Sequence, residues 1–206
     1  MYKVTSKWNH QDSIKVEWNL GKRCNYDCTY CPSVIHDNFS PHTDIEILKS
    51  TVDKLSTLGK PIRLSLTGGE PTVHPKIEEL IFYIKYKEMY LSITTNGTRP
   101  ENFYFKQGKI VDQYVFSFHF EHDWRSVLLK IAELKIYGDM SCNMLVNVMA
   151  HHSLMKECRG AVQKLKDMDI PYCIRRIRWT EGDHDLFDDM KYDQNDLDWI
   201  LQNDSS

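Results

Sequence analysis

The stretch Ile62-Arg-Leu-Ser-Leu-Thr67-Gly-Gly-Glu-Pro71 joins a strand-like run directly to a glycine-rich turn. Pro75 then opens a helix, since proline is favoured in the first helical turn. The apolar residues of that helix recur at helical spacing, at Ile77, Leu80, Ile81 and Ile84. The stretch therefore predicts a strand–turn–helix unit, with its turn at the carboxyl end of the strand.

The same alternation continues in both directions along the chain. Six runs are predicted to be strands: Ile14–Leu20, Ile62–Thr67, Tyr90–Thr95, Gln113–Phe120, Asn143–Met149 and Tyr172–Arg178. Strands that alternate with helices form a parallel sheet with right-handed crossovers. Such an α/β sheet is either open and doubly wound or curled into a partial barrel, and periodicity does not separate the two. In both, ligands bind at the carboxyl ends of the strands.

Helix starts are predicted from capping residues. Thr43 and Glu46 fit a capping box at the start of a helix over 43–58, and Ser153 can cap the helix after the fifth strand. The segment between the third strand and Ile110 is less regular, so no helix is predicted there.

Length and composition indicate one globular domain with extensions. The chain has 206 residues, 41% hydrophobic and 27% charged. We predict an N-terminal extension over 1–13, a core over 14–180 and an acidic tail over 181–206. A short tail helix could dock through Leu197, Trp199, Ile200 and Leu201, and a solvated cap is favoured over an acidic binding arm.

Charge and hydropathy exclude two classes of protein. The net charge of −3 argues against a general nucleic-acid binder. No apolar run approaches the roughly 20 residues that cross a bilayer, and residues 1–11 lack the apolar core of a signal peptide. We therefore expect a cytoplasmic protein without a membrane partner.

Three of the six cysteines are clustered, in Cys24-Asn-Tyr-Asp-Cys28-Thr-Tyr-Cys31. In a reducing compartment, clustered cysteines indicate metal binding more often than disulfides. Thiolates are soft ligands that suit iron–sulfur clusters or zinc. Three thiolates on a four-iron cluster would leave one iron open for chemistry. The other three, Cys142, Cys158 and Cys173, are read as buried small hydrophobes.

The alternative for the cysteine segment is a zinc site completed by a histidine. Candidate fourth ligands are His36, His42, His74 and His119. Zinc knuckles and ribbons usually pair two C-x-x-C units, and the sequence has no second unit. The spacing therefore favours the cluster and leaves zinc open.

At this point the chain resembles the radical S-adenosylmethionine (SAM) superfamily. The cysteine segment matches C-x-x-x-C-x-aromatic-C, with Tyr30 as the aromatic residue. Thr67-Gly-Gly-Glu-Pro71 matches the family's Gly-Gly-Glu-Pro motif, and Thr94-Thr-Asn-Gly97 is a frequent companion of the first two. The resemblance covers about residues 14–178 and implies a partial (β/α)6 TIM-like barrel.

The resemblance also implies roles for individual residues. It implies that the three clustered cysteines hold a [4Fe–4S] cluster and that Glu70 receives the amino group of the cofactor's methionine moiety. His119 is a candidate catalytic residue that touches substrate or donates a proton. The other residues expected to bind the cofactor are Tyr30, Gly68, Gly69, Pro71, Thr95, Asn96, Ser117, Asn147 and, among Arg175, Arg176 and Arg178, Arg176.

The implied activity is reductive cleavage of SAM to methionine and a 5′-deoxyadenosyl radical, which removes hydrogen from a substrate. That substrate could be a peptide or protein, a nucleotide or a sugar. An external one-electron donor such as flavodoxin or ferredoxin is implied as a partner. One alternative is a radical SAM methyl- or group-transferase, and an alternative of another class is a zinc-binding, non-catalytic interaction module.

Overall fold

A computed structural model describes residues 12–137, 142–177 and 192–204. Within these residues six parallel strands form one sheet. The strands are β1 Ile14–Asn19, β2 Ile62–Thr67, β3 Tyr90–Thr95, β4 Gln113–Phe118, β5 Asn143–Ala150 and β6 Tyr172–Arg176.

Helices follow the strands in alternation. They are α1 Ile45–Ser56, α2 Ile77–Tyr86, α3 Glu101–Gln107, α4 Trp124–Tyr137, α5 Met155–Asp167 and α6 Gln194–Asn203, with 3₁₀ turns at Pro71–Val73 and His152–Leu154. Among the described residues, no helix combines the length and the apolar character needed to span a bilayer.

The strand order distinguishes the two architectures that the sequence left open. The order is β1-β2-β3-β4-β5-β6, so each strand lies beside its predecessor. Right-handed crossovers added in one direction place every connecting helix on the same side of the sheet. A doubly wound sheet would need a reversal of strand order to cover both faces. The sheet is therefore the curled half-barrel that was predicted, with β1 and β6 as its free edges.

The two faces of the sheet differ in chemistry. The face toward the helices is apolar and supplies much of the core, with side chains such as Leu64, Leu91 and Phe116 fully buried. The opposite face, here called the inner face, carries mainly polar side chains, with apolar ones such as Val115 and Leu145 between them. One row across five paired strands consists of Glu17, Ser65, Ser92, Gln113 and Asn143.

This polar row contrasts with closed (β/α)8 barrels, whose interior is filled mainly by branched apolar side chains. A row of hydroxyl, amide and carboxylate groups cannot form a dry core without partners, because unpaired buried polar groups are costly. The inner face is therefore suited to contact with water or a polar ligand.

The helix α6 covers the free edge of β6. The Asp204 carboxylate accepts a hydrogen bond from the backbone N–H of Ile174 at 2.9 Å, and the Tyr192 hydroxyl accepts one from Ile177 at 3.0 Å. Ile200 is buried as expected, whereas Leu201 is 79% exposed and does not dock. Closing a free edge protects it from pairing with other chains.

The domain boundaries at 13 and 180 stay predictions. Residues 1–11, 178–191 and 205–206 lie outside the described residues, and Arg178 is among them. The helix α6 does pack on the core, through Ile200, Leu197 and Trp199, while the choice between a solvated cap and a binding arm stays a prediction.

Two predicted caps and one unpredicted helix differ from expectation. Asp44, not Thr43, caps α1 by accepting from the backbone N–H of Glu46 at 2.8 Å. Ser153 does not cap α5, because the 3₁₀ turn that contains it precedes that helix. The segment between β3 and β4 contains α3, whose buried residues include Phe103 and Tyr104. Tertiary packing of that aromatic pair, rather than periodicity, accounts for this short helix.

Candidate active site

The cysteine segment lies in the loop after β1, at the carboxyl edge of the sheet. Cys24 and Cys28 are buried and Cys31 is half-buried, and all three thiols are free. A turn closed by the backbone N–H of Cys31 on the carbonyl of Cys28, at 3.0 Å, brings these two residues onto one bend. The three thiols lie close enough together for the charge of Cys31 to act on both Cys24 and Cys28.

Burial raises the pKa of each of the three thiols, that of Cys28 to about 12. These thiols are therefore neutral at pH 7. Thiolate ligands must lose their protons when a metal binds, so loading this site releases protons. Three soft donors on one loop fit an iron–sulfur cluster by the chemistry of the donor set.

The histidines considered as a fourth zinc ligand have other contacts. His36 contacts the backbone carbonyl of Tyr26, and His74 contacts the carbonyl of Thr43 at 2.9 Å. Among the histidines in the described part of the chain, the His119 ring lies beside a cysteine, with Nδ1 3.5 Å from Cys28 Sγ. In the part of the chain that the structure describes, no three His, Cys, Asp or Glu side chains are grouped to hold one metal ion.

Residues that follow β3 hold the first part of the cysteine loop, at Cys24 and Asn25. The Asn96 amide donates to Asn25 Oδ1 at 2.9 Å and to Cys24 Sγ at 3.9 Å. Asn25 in turn donates to the Thr98 hydroxyl at 2.9 Å. These contacts tie the first cysteine to the Thr-Asn-Gly turn that was predicted to contribute to the site.

Residues that follow β4 hold the later part of the same loop, at Thr29 and Tyr30. Glu121 accepts hydrogen bonds from both the backbone N–H and the hydroxyl of Thr29, at 2.8 and 2.5 Å. His119 Nδ1 lies 2.5 Å from the Tyr30 hydroxyl. The Tyr26 and His122 rings stack with centroids 3.8 Å apart. The three cysteines are therefore held between the carboxyl ends of two neighbouring strands.

His119 is placed against the cysteine loop. Burial lowers its pKa to about 4, so the ring is neutral at pH 7. Its Nδ1 faces the Tyr30 hydroxyl and the Cys28 sulfur. Through these contacts His119 positions the cysteine loop.

The two glycines of the Gly-Gly-Glu-Pro turn allow the cysteine loop to pack on β2. Gly68 has a φ of +126°, which side chains rarely adopt. The Gly69 N–H donates to the Gly21 carbonyl at 2.9 Å, and the Glu70 N–H donates to the Arg23 carbonyl at 2.9 Å. The turn therefore pairs with the backbone that leads directly into Cys24.

The Glu70 carboxylate is buried and fully engaged within the protein. One oxygen accepts from the Thr72 backbone and hydroxyl and from the Thr95 hydroxyl, and the other accepts from the Asn96 backbone N–H at 2.6 Å. Burial raises the pKa of Glu70, while these hydrogen bonds act in the opposite direction. These contacts join the turns after β2 and β3, whereas contact with an ammonium group remains a prediction.

We expect Glu70→Gln to lower the free energy of unfolding by ~1–3 kcal/mol. In the variant, the amide nitrogen of the glutamine would donate where the carboxylate now accepts. It would therefore face a backbone N–H or a hydroxyl hydrogen, and at least one hydrogen bond would be lost. Urea unfolding measures this, with Glu79→Gln as a surface control expected to cost less than ~1 kcal/mol. Unchanged stability together with weaker SAM binding would instead favour the role predicted from sequence.

A second polar row lies on the inner face nearer the carboxyl edge. Ser117, Asn147 and Cys173 are directly paired across β4, β5 and β6. The Cys173 thiol donates to Asn147 Oδ1 at 3.7 Å. Alternation along β6 puts Arg175 on the same face as Cys173 and puts Arg176 on the opposite face. Arg176 therefore lies on the helix side, and its contact with the cofactor stays a prediction. Arg175 lies on the inner face in the next row, paired with Met149, and its guanidinium donates to Cys173 Sγ at 3.7 Å.

Sequence reasoning missed several residues that build the site. Thr98 and Glu121 hold the cysteine loop although neither belongs to a cysteine or glycine motif, and Asn25, which also holds it, occupies a variable position of the cysteine motif. Thr98 and Glu121 lie a few residues after the ends of β3 and β4. Their position at the ligand-binding edge was the signal that could have identified them.

The comparisons with known proteins agree with this geometry. A family model described as "Radical SAM superfamily" matches residues 18–119, which include the cysteine loop and both glycine-containing turns. Fe-coproporphyrin III synthase from Methanosarcina barkeri is 38% identical over 84 residues, 40% of this chain and 21% of that protein. GTP 3′,8-cyclase from Brucella abortus is 30% identical over 168 residues, 78% of this chain and 47% of that protein.

Solved structures share the fold. Native anSMEcpe with bound AdoMet and a Kp18Cys peptide matches with a TM-score of 0.68 at 19% identity, covering 93% of this chain and 58% of that one. The chain spans less than half the length of the two curated relatives named above.

Proposed function

The chain belongs to the radical SAM superfamily, and on that premise we propose that it is an enzyme that cleaves SAM reductively at a [4Fe–4S] cluster. Cys24, Cys28 and Cys31 would hold the cluster. The observation that supports this most directly is that one short loop presents three thiols and is fixed by hydrogen bonds from two neighbouring strand ends.

When bound, the cluster and cofactor supply the chemistry: one electron cleaves SAM to methionine and a 5′-deoxyadenosyl radical, which takes a hydrogen atom from the substrate. The protein binds and orients. Asn96 and Glu121 hold the cysteine loop, and burial of Cys24 and Cys28 keeps bulk water from two of the ligands.

The cofactor contacts are proposed from the strand ends. Gly68 and Gly69 follow the end of β2 at the edge where ligands bind parallel sheets, and this position supports their proposed contact with the cofactor. Ser117 and Asn147 offer a hydroxyl and an amide in one row, and Arg175 offers a cation on the same face. These groups match the carboxylate and ribose of a nucleoside-linked amino acid.

Tyr30 and His119 would act as a pair beside the cluster. Their mutual hydrogen bond holds the aromatic residue of the cysteine motif against the residues that follow β4. We assign His119 a positioning role through Cys28 and Tyr30, in place of direct contact with substrate.

The polar inner face supports a polar substrate. A row of Glu17, Ser65, Ser92, Gln113 and Asn143 offers hydrogen-bonding groups along the sheet. The named relatives and the peptide-bound structure differ in what they act on or bind, so peptide or protein, nucleotide and sugar substrates all stay candidates. A flavodoxin- or ferredoxin-like protein would supply the electron.

The test is product analysis on anaerobically purified protein given dithionite and SAM. We expect 5′-deoxyadenosine and methionine in equal amounts. S-adenosylhomocysteine would favour a methyltransferase instead. A colourless protein with bound zinc and no cleavage would favour the non-catalytic module.

A further inference from the structure

The Asn96 side chain contacts a proposed cluster ligand directly. One hydrogen of its amide points to Asn25 Oδ1 at 2.9 Å, and the other to Cys24 Sγ at 3.9 Å. Its carbonyl oxygen accepts from the backbone N–H and the hydroxyl of Thr98, at 3.1 and 2.7 Å. Asn96 is only 4% exposed, and its polar side-chain atoms all have partners within the protein.

The orientation of this amide follows from its neighbours. A backbone N–H can only donate, so the Asn96 atom that faces the Thr98 N–H must be the carbonyl oxygen. The amide nitrogen therefore has to face Asn25 and the Cys24 sulfur. The Asn25 amide closes the ring by donating to the Thr98 hydroxyl at 2.9 Å. Because of this ring, the amide cannot flip without losing at least two hydrogen bonds.

We propose that Asn96 is a positioning residue that raises the reduction potential of the cluster by donating an N–H to the Cys24 sulfur. The proposal rests on the proposed function, since it needs a cluster on Cys24. It replaces the role of direct cofactor contact that the sequence suggested for this side chain.

The physical reason is the charge on the sulfur. Reduction adds one negative charge to the cluster and its thiolates, and an N–H donor stabilises that charge more in the reduced state than in the oxidised state. Hydrogen bonds to the sulfurs are among the features that set the potential of an iron–sulfur cluster. Burial strengthens the effect because the local dielectric constant is low. Cys24 also receives the Tyr26 backbone N–H at 3.4 Å, a donor that side-chain substitutions leave in place.

The test is a redox titration of the reconstituted protein, followed by electron paramagnetic resonance (EPR) of the reduced cluster. Asn96→Ala removes the donor without adding charge. Asn96→Asp keeps the shape and the oxygen that accepts from Thr98 but removes the N–H. We expect both variants to keep the wild-type iron and sulfide content, with midpoint potentials lower than that of the wild type, and lowest for Asn96→Asp because of its charge.

Thr98→Val is the matched control. It removes a hydroxyl from the same ring but leaves the Thr98 backbone N–H to hold the Asn96 oxygen, so we expect a smaller shift. If Asn96→Ala fails to hold iron, the midpoint potential of Asn96→Asp tests the proposal. Wild-type potentials in variants with full clusters would overturn the proposal, and so would loss of iron from both, which would make Asn96 a folding residue. A wild-type protein that holds no four-iron cluster would instead refute the proposed function.

Discussion

Replacing Cys28 by alanine is expected to abolish the four-iron cluster and to reduce SAM cleavage by more than ~100-fold. Losses of 10–100-fold are typical when only an outer-shell partner of a metal ligand is removed, so loss of a ligand itself should cost more. Iron and sulfide analysis after anaerobic reconstitution, together with the yield of 5′-deoxyadenosine, measures both effects.

Cys158→Ala provides the matched control for this variant. Cys158 is a buried free thiol, as Cys28 is, but it lies in α5 on the helix side of the sheet. Its replacement should leave the iron content and the cleavage rate near wild-type values. Full iron content and normal turnover in Cys28→Ala would contradict the ligand assignment.

Replacing Gly69 by alanine is expected to lower stability by ~3 kcal/mol or more, at the upper end of the range for overpacking. A Cβ at this position would lie 2.3 Å from the Lys22 carbonyl oxygen and 2.4 Å from that of Arg23. Both are backbone atoms, so relief requires a shift of the chain that leads into Cys24. We therefore expect iron incorporation to fall as well, and urea unfolding with iron analysis measures the two losses.

Gly160→Ala separates crowding from any general intolerance of alanine. Gly160 lies within α5, and a Cβ there meets nothing within 4 Å. Alanine is the better helix former by ~1 kcal/mol, so this variant should be as stable as the wild type or more stable. Equal behaviour of the two glycine variants would show that Gly69 does not need the close approach.

The sequence predicted the strands well because their patterns are local. β2 and β3 match their predicted bounds, and β5 differs by one residue at its end. Apolar residues at alternate positions, bounded by glycine and asparagine turns, decide these strands without reference to the rest of the chain. The half-barrel was also predicted, but from the family resemblance, because strand order is not a local property.

The side chains that hold the cysteine loop could not be predicted in the same way. Asn25 meets Thr98 across 73 positions of sequence, and Thr29 meets Glu121 across 92. Such contacts depend on which strands are neighbours and on their register. The sequence could place Glu121 at the ligand-binding edge but could not name its partner.

The sequence also could not predict which residues of β6 lie on which face of the sheet. Arg175 and Arg176 are adjacent in an element only 5 residues long, and a shift of one residue exchanges their faces. The pairing of Cys173 with Asn147 fixes the phase and puts Arg175 on the inner face. The sequence could therefore predict an arginine at the site but not which one.

The role of Glu70 shows why a motif does not determine its own chemistry. In the structure both carboxylate oxygens accept hydrogen bonds, from Thr72, Thr95 and Asn96, whereas the expected contact with an ammonium group stays a prediction. The motif residue thereby links two turns that form the site. A sequence match indicates that the residue matters and leaves its contacts to be found.

The central claim is that three thiolates hold a four-iron cluster with one iron open to SAM. The most direct measurement is the EPR spectrum of the dithionite-reduced protein, recorded before and after addition of SAM. We predict a reduced [4Fe–4S] signal whose shape changes when SAM is added, since the cofactor would bind the open iron. A cluster signal that SAM leaves unchanged, or a protein that holds zinc and gives no signal, would contradict the claim.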